Sequence, residues 1–314
     1  MSIVYGPVPS RRLGQSLGVD PIPFKTCNYN CVYCQLGRTH PLTNRRQDFY
    51  APEAILAEVR AALAAHSPGA IDYVTFVGQG EPLLCASLGR LMREVKAMSN
   101  LPVALITNGS LLFRPDVRAE VQAADVVMPT VDAADQATFR RINRPWRRLD
   151  LDAILAGMAD FRQSYAGQFW VEVMLVKGVN DSEAALTGIA AALRRIQPDQ
   201  VHLNVPLRPP AERWVEPPDN FGMVRAMAIL GEVAPIVTPA SGAVVLAPDL
   251  PIADAVVEII RRHPLREVEL AEALQRYTPG RVMETLASLE ASGQARRLVY
   301  RDQAYWEYPG SRFA

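Results

Sequence analysis

Between residues 51 and 206 the chain changes its hydrophobic period repeatedly, and that alternation limits the possible folds more than any other feature. APEAILAEVRAALAAH (51–66) carries Ile55, Val59, Ala62 and Leu63 at helical spacing. IDYVTFV (71–77), by contrast, is a short apolar run rich in β-branched residues, as in a buried strand. The exchange then continues. Helices are predicted over 87–98, 115–123, 151–163 and 182–196, and strands over 102–107, 125–132, 169–176 and 200–206. An early strand near SLGVD (16–20) completes six βα units. Strands joined through helices pair in parallel, so the chain predicts an α/β fold, with too few units for a closed eight-fold barrel.

The 314 residues allow one large domain and a smaller one. At 49% hydrophobic, the chain can bury a sizeable core. Lys+Arg and Asp+Glu balance at 33 each, which gives no support to a general polyanion binder. MSIVYGPVPSRRLGQ lacks the apolar run of a secretory signal, and no stretch is long enough to span a bilayer. The expectation is a cytoplasmic protein without membrane partners, in which clustered thiols serve metal or redox chemistry.

Those thiols lie in KTCNYNCVYCQLG (25–37), as Cys27, Cys31 and Cys34, and the one other cysteine is Cys85. A disulfide would leave an odd thiol. Zinc needs four closed ligands, which His40 could complete. Three thiolates can instead hold a [4Fe–4S] cluster with one iron open to chemistry. The C-x3-C-x2-C spacing, with Tyr33 before the last cysteine, resembles the cluster loop of the radical S-adenosylmethionine (SAM) superfamily. The resemblance implies a partial (β/α)6 barrel, SAM chelated to the open iron, and a reductant such as flavodoxin or ferredoxin. It also implies reductive cleavage of SAM to methionine and a 5′-deoxyadenosyl radical that abstracts hydrogen from substrate.

Barrels of this kind place their chemistry at the C-terminal strand ends. GQGEP (78–82) follows the second strand and resembles the family's GGEP segment, which implies SAM contacts at Gly78, Gly80, Glu81 and Pro82. Asn108, in TNG (107–109), ends the third strand. On the later strands, parity sets Val126, Met128, Thr130 and Asp132 against Val127 and Val131, Glu172 against Val171 and Val173, and His202 and Asn204 against Val201 and Leu203. The polar-bearing faces are expected to line the lumen. Thr130, Asp132, Glu172 and Asn204 are therefore candidate contacts to SAM, with Tyr33 shielding the cluster, and His202 is a candidate catalytic group. Lys177, just past the fifth strand, is a second catalytic candidate, since an amine there can form a Schiff base or bind phosphate; its alternative is a solvated strand end.

GPVPSRRLGQSLGVDPIPFKTCNYNCVYCQLG, TVDAADQATFRRINRP, MLVKGVNDS and HLNVPLRPP narrow the resemblance to a radical SAM group related to wyosine-type tRNA synthases. Those synthases carry a second cluster with its own cysteines. Cys85 alone cannot supply one, so wyosine synthesis itself is not expected. RNA or polypeptide remains as the class of substrate. Arg140, Arg141, Arg144, Arg147 and Arg148 form a basic run around NRPW that either binds phosphate or carboxylate groups or is a charged helix end.

The domains are expected at 1–237 and 252–314, joined by a Pro/Ala/Gly-rich linker over 238–251. Three helices (252–263, 266–275, 278–293) and a hairpin centred on Arg301–Asp302 predict a winged helix-turn-helix. Its nine arginines and nine acidic residues between 251 and 314 favour protein or peptide recognition over nucleic acid. A metal- or redox-sensing regulator that binds DNA through this tail is the alternative to an enzyme.

Overall fold

The computed structural model describes residues 3–10, 12–237, 251–262, 264–274 and 277–311. Its main sheet has eight strands: β1 (Val4–Ser10), β2 (Gly14–Val19), β3 (Tyr73–Phe76), β4 (Val103–Thr107), β5 (Val126–Pro129), β6 (Gln168–Met174), β7 (Gln200–Asn204) and β8 (Ile236–Val237). They lie side by side in chain order. β1 pairs antiparallel with β2, and every later pair is parallel. The six predicted strands are β2 to β7. The hairpin partner β1 and the short β8 were not expected.

The crossovers are α1 (Pro52–Ala64), α2 (Leu88–Ser99), α3 (Pro115–Val121), α4 (Gln136–Ile142), α5 (Leu151–Ser164), α6 (Glu183–Ile196) and α7 (Asn220–Gly231). Local chemistry sets their ends. Asp135, Asp150 and Ser182 each accept the N–H three residues on, capping α4, α5 and α6. Asn100 and Gln197 stop α2 and α6 in the left-handed conformation. Because the strand order never reverses, right-handed crossovers keep the helices on one face.

That outer face holds the main core, in which Phe76, Phe161, Phe169, Val171 and Val173 are fully buried. Each aromatic side chain so buried contributes about 1.5–3 kcal/mol. The inner face has a smaller apolar cluster of Leu13, Ala104, Val126 and Met128. Val126 and Met128 thus oppose Val127 and Val131, as the alternation predicted.

The tail contains α8 (Ile252–Arg262), β9 (Leu265–Arg266), α9 (Glu267–Ala273), α10 (Pro279–Ala291), β10 (Arg296–Tyr300) and β11 (Gln303–Glu307). Its antiparallel sheet runs β10-β11-β9 over a separate core that includes Val256, Ile259, Leu270, Leu286 and Trp306. Arg301 and Asp302 both adopt left-handed φ, so the hairpin turns where predicted. α9 starts at Glu267 because Arg266 pairs with Tyr305 in the sheet. The tail also touches the larger unit. Tyr308 meets Phe24 edge-on at 5.5 Å, Arg262 stacks 3.8 Å over Tyr5, and the Tyr305 hydroxyl donates to the Leu207 carbonyl. Of the expected linker, all but Pro251 lies outside the described residues. Among the described residues, no helix is long and apolar enough to cross a membrane.

Candidate active site

The three cysteines sit in the irregular loop after β2, and the ends of β3, β4 and β5 hold that loop in place. Lys25, in a left-handed conformation, donates its backbone N–H to Gln79 O, and Glu81 N donates to Thr26 O. A Cβ at Gly80 would collide with the Thr26 carbonyl oxygen, so glycine is required for this approach. A Cβ at Gly78 would press on Ile22.

Each thiol accepts an N–H. Cys27 Sγ takes Tyr29 N at 3.3 Å, Cys34 Sγ takes Lys25 Nζ at 3.2 Å, and Cys31 Sγ takes Asn143 Nδ2 at 3.6 Å. Donors of this kind suit sulfurs that carry negative charge. Burial pushes the Cys27 thiol up to about 12 and Cys31 higher still, and the neighbouring sulfurs add to both. Positive iron charge would reverse that balance. Among the described residues, no three His, Cys, Asp or Glu side chains close around a single-ion site, and His40 is exposed. Three thiols that each accept an N–H are a donor set that fits a three-thiolate cluster. Cys85 lies apart in the outer core, 1% exposed.

The polar residues of the early strands are occupied in holding the loop. Glu81 is 1% exposed and accepts from Thr107 Oγ1 (2.5 Å), Asn108 N (2.6 Å) and Leu83 N (2.9 Å). Burial raises its carboxyl to about 7 despite these donors. Pro82 opens the short turn that Glu81 caps. Asn108 Nδ2 donates to Asn28 Oδ1, and Asn28 in turn donates to Ser110 and Asn44. Asp132, buried and raised to about 6 by desolvation, accepts Tyr33 Oη (2.5 Å), Asn143 Nδ2 (2.7 Å) and Met174 N (2.8 Å). Tyr33 thus ties the cluster loop to the segment after β5.

A second group forms on β6 and β7. Glu172 accepts Asn204 Nδ2 at 3.0 Å and is ion-paired with Arg12 from the β1–β2 turn. Thr130 bridges Glu172 through the backbone. His202 lies beside Glu172 across the strand pair, 3% exposed, its ring 5.6 Å from Trp170 and its Nε2 without a partner. Burial, with Arg12 nearby, lowers its pKa to about 4, so it is neutral at physiological pH.

Lys177 does not join either group. Its side chain is 52% exposed and pairs with Glu216 at 3.5 Å, so the solvated strand end describes it. Sequence reasoning missed Lys25, Asn28, Asn143 and Arg12. Lys25 and Asn28 were visible inside the cysteine segment, but no spacing rule marks them. Arg12 and Asn143 gain their roles only through contacts across the fold.

The radical SAM superfamily matches residues 22–187 of this chain. A UPF0026 protein of Methanocaldococcus jannaschii is 41% identical over 233 residues, covering 74% of this chain and 72% of that protein. A UPF0026 protein of Helicobacter pylori (strain J99) is 38% identical over 211 residues, covering 67% and 68%. The solved structure of a radical SAM methyltransferase from Sphaerobacter thermophilus superposes with a TM-score of 0.52 at 19% identity, covering 71% of this chain and 66% of that one, which is a likeness of fold alone. With its three-cysteine loop, its GQGEP strand end and these relatives, the chain belongs to the radical SAM superfamily, within the UPF0026 family.

Proposed function

We propose that Cys27, Cys31 and Cys34 hold one [4Fe–4S] cluster and that the inner face of a partial (β/α)6 barrel binds SAM against it. The observation that carries this reading is the loop itself, in which three thiols each receive an N–H and the segments after β3 and α4 fix the backbone. When bound, the cluster supplies the electron that cleaves SAM to methionine and a 5′-deoxyadenosyl radical. Gly78 and Gly80 let the cluster loop pack against the end of β3, the edge along which the SAM amino acid would lie. Glu81, Asn108, Asp132 and Tyr33 act as positioning residues, since their polar atoms are already engaged. Glu172, Asn204 and Arg12 offer both signs of charge and an amide to SAM or substrate, and neutral His202 lies beside them.

The order of tail elements and the β10-β11-β9 sheet support a winged helix, read as a recognition domain for an RNA or polypeptide substrate. Membership in the superfamily leaves the regulator alternative without support. A reductant such as flavodoxin or ferredoxin would deliver the electron. The test is anaerobic: reconstituted, dithionite-reduced protein is expected to release 5′-deoxyadenosine and methionine from SAM. Fully loaded, reduced protein that binds no SAM would overturn the reading.

A further inference from the structure

Basic and acidic residues cancel over the whole chain, yet QATFRRINRPWRRL (136–149) holds five arginines and no acid. The flanking aspartates are used as helix caps: Asp135 accepts Thr138 N and Asp150 accepts Ala153 N. Arg144 is held at 2.5 Å by Glu212, which Arg38 also engages through two nitrogens. Among the described residues, Arg140, Arg147 and Arg148 are exposed and have no acidic partner. Arg140, Arg144 and Arg147 line one open cavity of about 380 Å³ together with Pro145, Trp146 and Leu149.

This cavity is fixed beside the thiols. Asn30 N donates to Asn143 O, Trp146 N donates to Asn28 O at 2.7 Å, and Tyr29 bridges Pro145. Arg144 has φ of 44°, a left-handed conformation that is unfavourable for a non-glycine residue. The turn is kept in that form while it exposes Arg147 and Arg148 and leaves Trp146 half-buried against the core, next to Cys27 and Cys31.

We propose that this cavity binds the phosphodiester backbone of a single-stranded RNA, with Trp146 stacking on a base, and so holds the strand at the cluster loop. Guanidinium forks match phosphate oxygens in pairs, and the segment has no lysine. An aromatic ring set among arginines is a sequence-tolerant platform for an unpaired base, and an acidic peptide has no use for it. The short basic stretch in an otherwise neutral chain suits a few phosphates rather than a long duplex, and predicts strong dependence on salt. The inference rests on the radical SAM reading only for what the bound strand is used for.

The experiment is fluorescence anisotropy, under anaerobic conditions, of the full chain with its cluster loaded. The probe is a labelled single-stranded RNA of mixed sequence, about 20 nucleotides long. Binding is expected at low salt. Arg140→Ala/Arg147→Ala/Arg148→Ala should weaken it at least about tenfold and flatten the plot of log affinity against log salt by about 2, which is three contacts at roughly 0.7 each. Trp146→Phe should weaken binding less and leave that slope unchanged. If the triple variant loses iron, Arg147→Glu alone, at an exposed position, replaces it, again with about a tenfold loss expected. RNA that does not bind at low salt, RNA that binds the variants as well as the parent, or polyglutamate that binds as tightly as RNA would overturn the proposal. SAM cleavage measured without RNA reports on the radical reading separately.

Discussion

The two ends of the inner face load their carboxylates differently. Around the cysteine loop two buried carboxylates are fully loaded, Glu81 with three donors and Asp132 with three, and Asn28 joins Asn44, Ser110 and Asn108, while among the described residues Asp20 Oδ1 and Gln79 Oε1 have no protein partner. On β6 and β7, Glu172 has a cation and an amide, while the neighbouring His202 keeps a buried Nε2 without a partner. The first arrangement holds a shape. The second leaves groups able to exchange protein partners for ligand. Buried networks that are complete add rigidity, whereas unmatched buried polar atoms mark places where a ligand can repay the missing bond.

If this contrast holds, substitutions at the two ends separate stability from turnover. The largest effect is expected at Glu81→Ala, which leaves the Thr107 hydroxyl and the Leu83 and Asn108 N–H groups unpaired in a buried setting. At about 1–3 kcal/mol for each buried group left unpaired, the folded state should lose several kcal/mol and the loop its iron. Thermal melting and iron content check this. A Glu81→Ala protein that keeps both but fails to bind SAM would make Glu81 a ligand contact and erase the contrast. Glu172→Gln should do the reverse. Iron content is expected to stay intact while SAM cleavage falls about 10-fold or more, in line with loss of a charge-assisted bond of about 1.5–3 kcal/mol.

The smallest effect concerns His202 and acid. The folded protein keeps this ring neutral down to about pH 4, while the unfolded chain takes up the proton near 6.5. Between those values the unfolded state binds more protons, so His202 makes stability fall as pH falls. Asp132 and Glu81, whose folded pKa values are raised to about 6 and about 7, act oppositely: their burial penalty is relieved on acidification. His202→Phe should therefore make the protein relatively more resistant to unfolding between neutral pH and about pH 5, as read by urea midpoints. Identical pH dependence in the two proteins would mean that His202 is solvated.

Much of this architecture was legible because it is local. Helix and strand periods alternate within short windows, so six strands and five of the seven crossover helices could be placed from residue type alone, while α4 and α7 were not. The cysteine loop and GQGEP are contiguous segments with fixed spacing. What escaped is whatever long-range contact creates. Arg12 reaches Glu172 across 160 positions, and Asn143 reaches Cys31 across 112. Strand parity grouped Asp132 with Val126 and Met128, but β5 ends at Pro129 and Asp132 meets Tyr33 and Asn143 beyond it. The setting of Lys177 is likewise made by long-range contact. Its place after β6 suggested chemistry, and only the fold brings Glu216 beside it.

The central claim is that three particular thiols, and not the fourth, hold the reactive centre. Anaerobic iron and sulfide analysis, paired with 5′-deoxyadenosine release from SAM, tests it on the parent, Cys34→Ala and Cys85→Ala. The account predicts about four irons and four sulfides per chain for the parent and for Cys85→Ala, both cleaving SAM, and loss of both properties in Cys34→Ala. A Cys85→Ala protein without iron beside a Cys34→Ala protein that keeps its iron would contradict it.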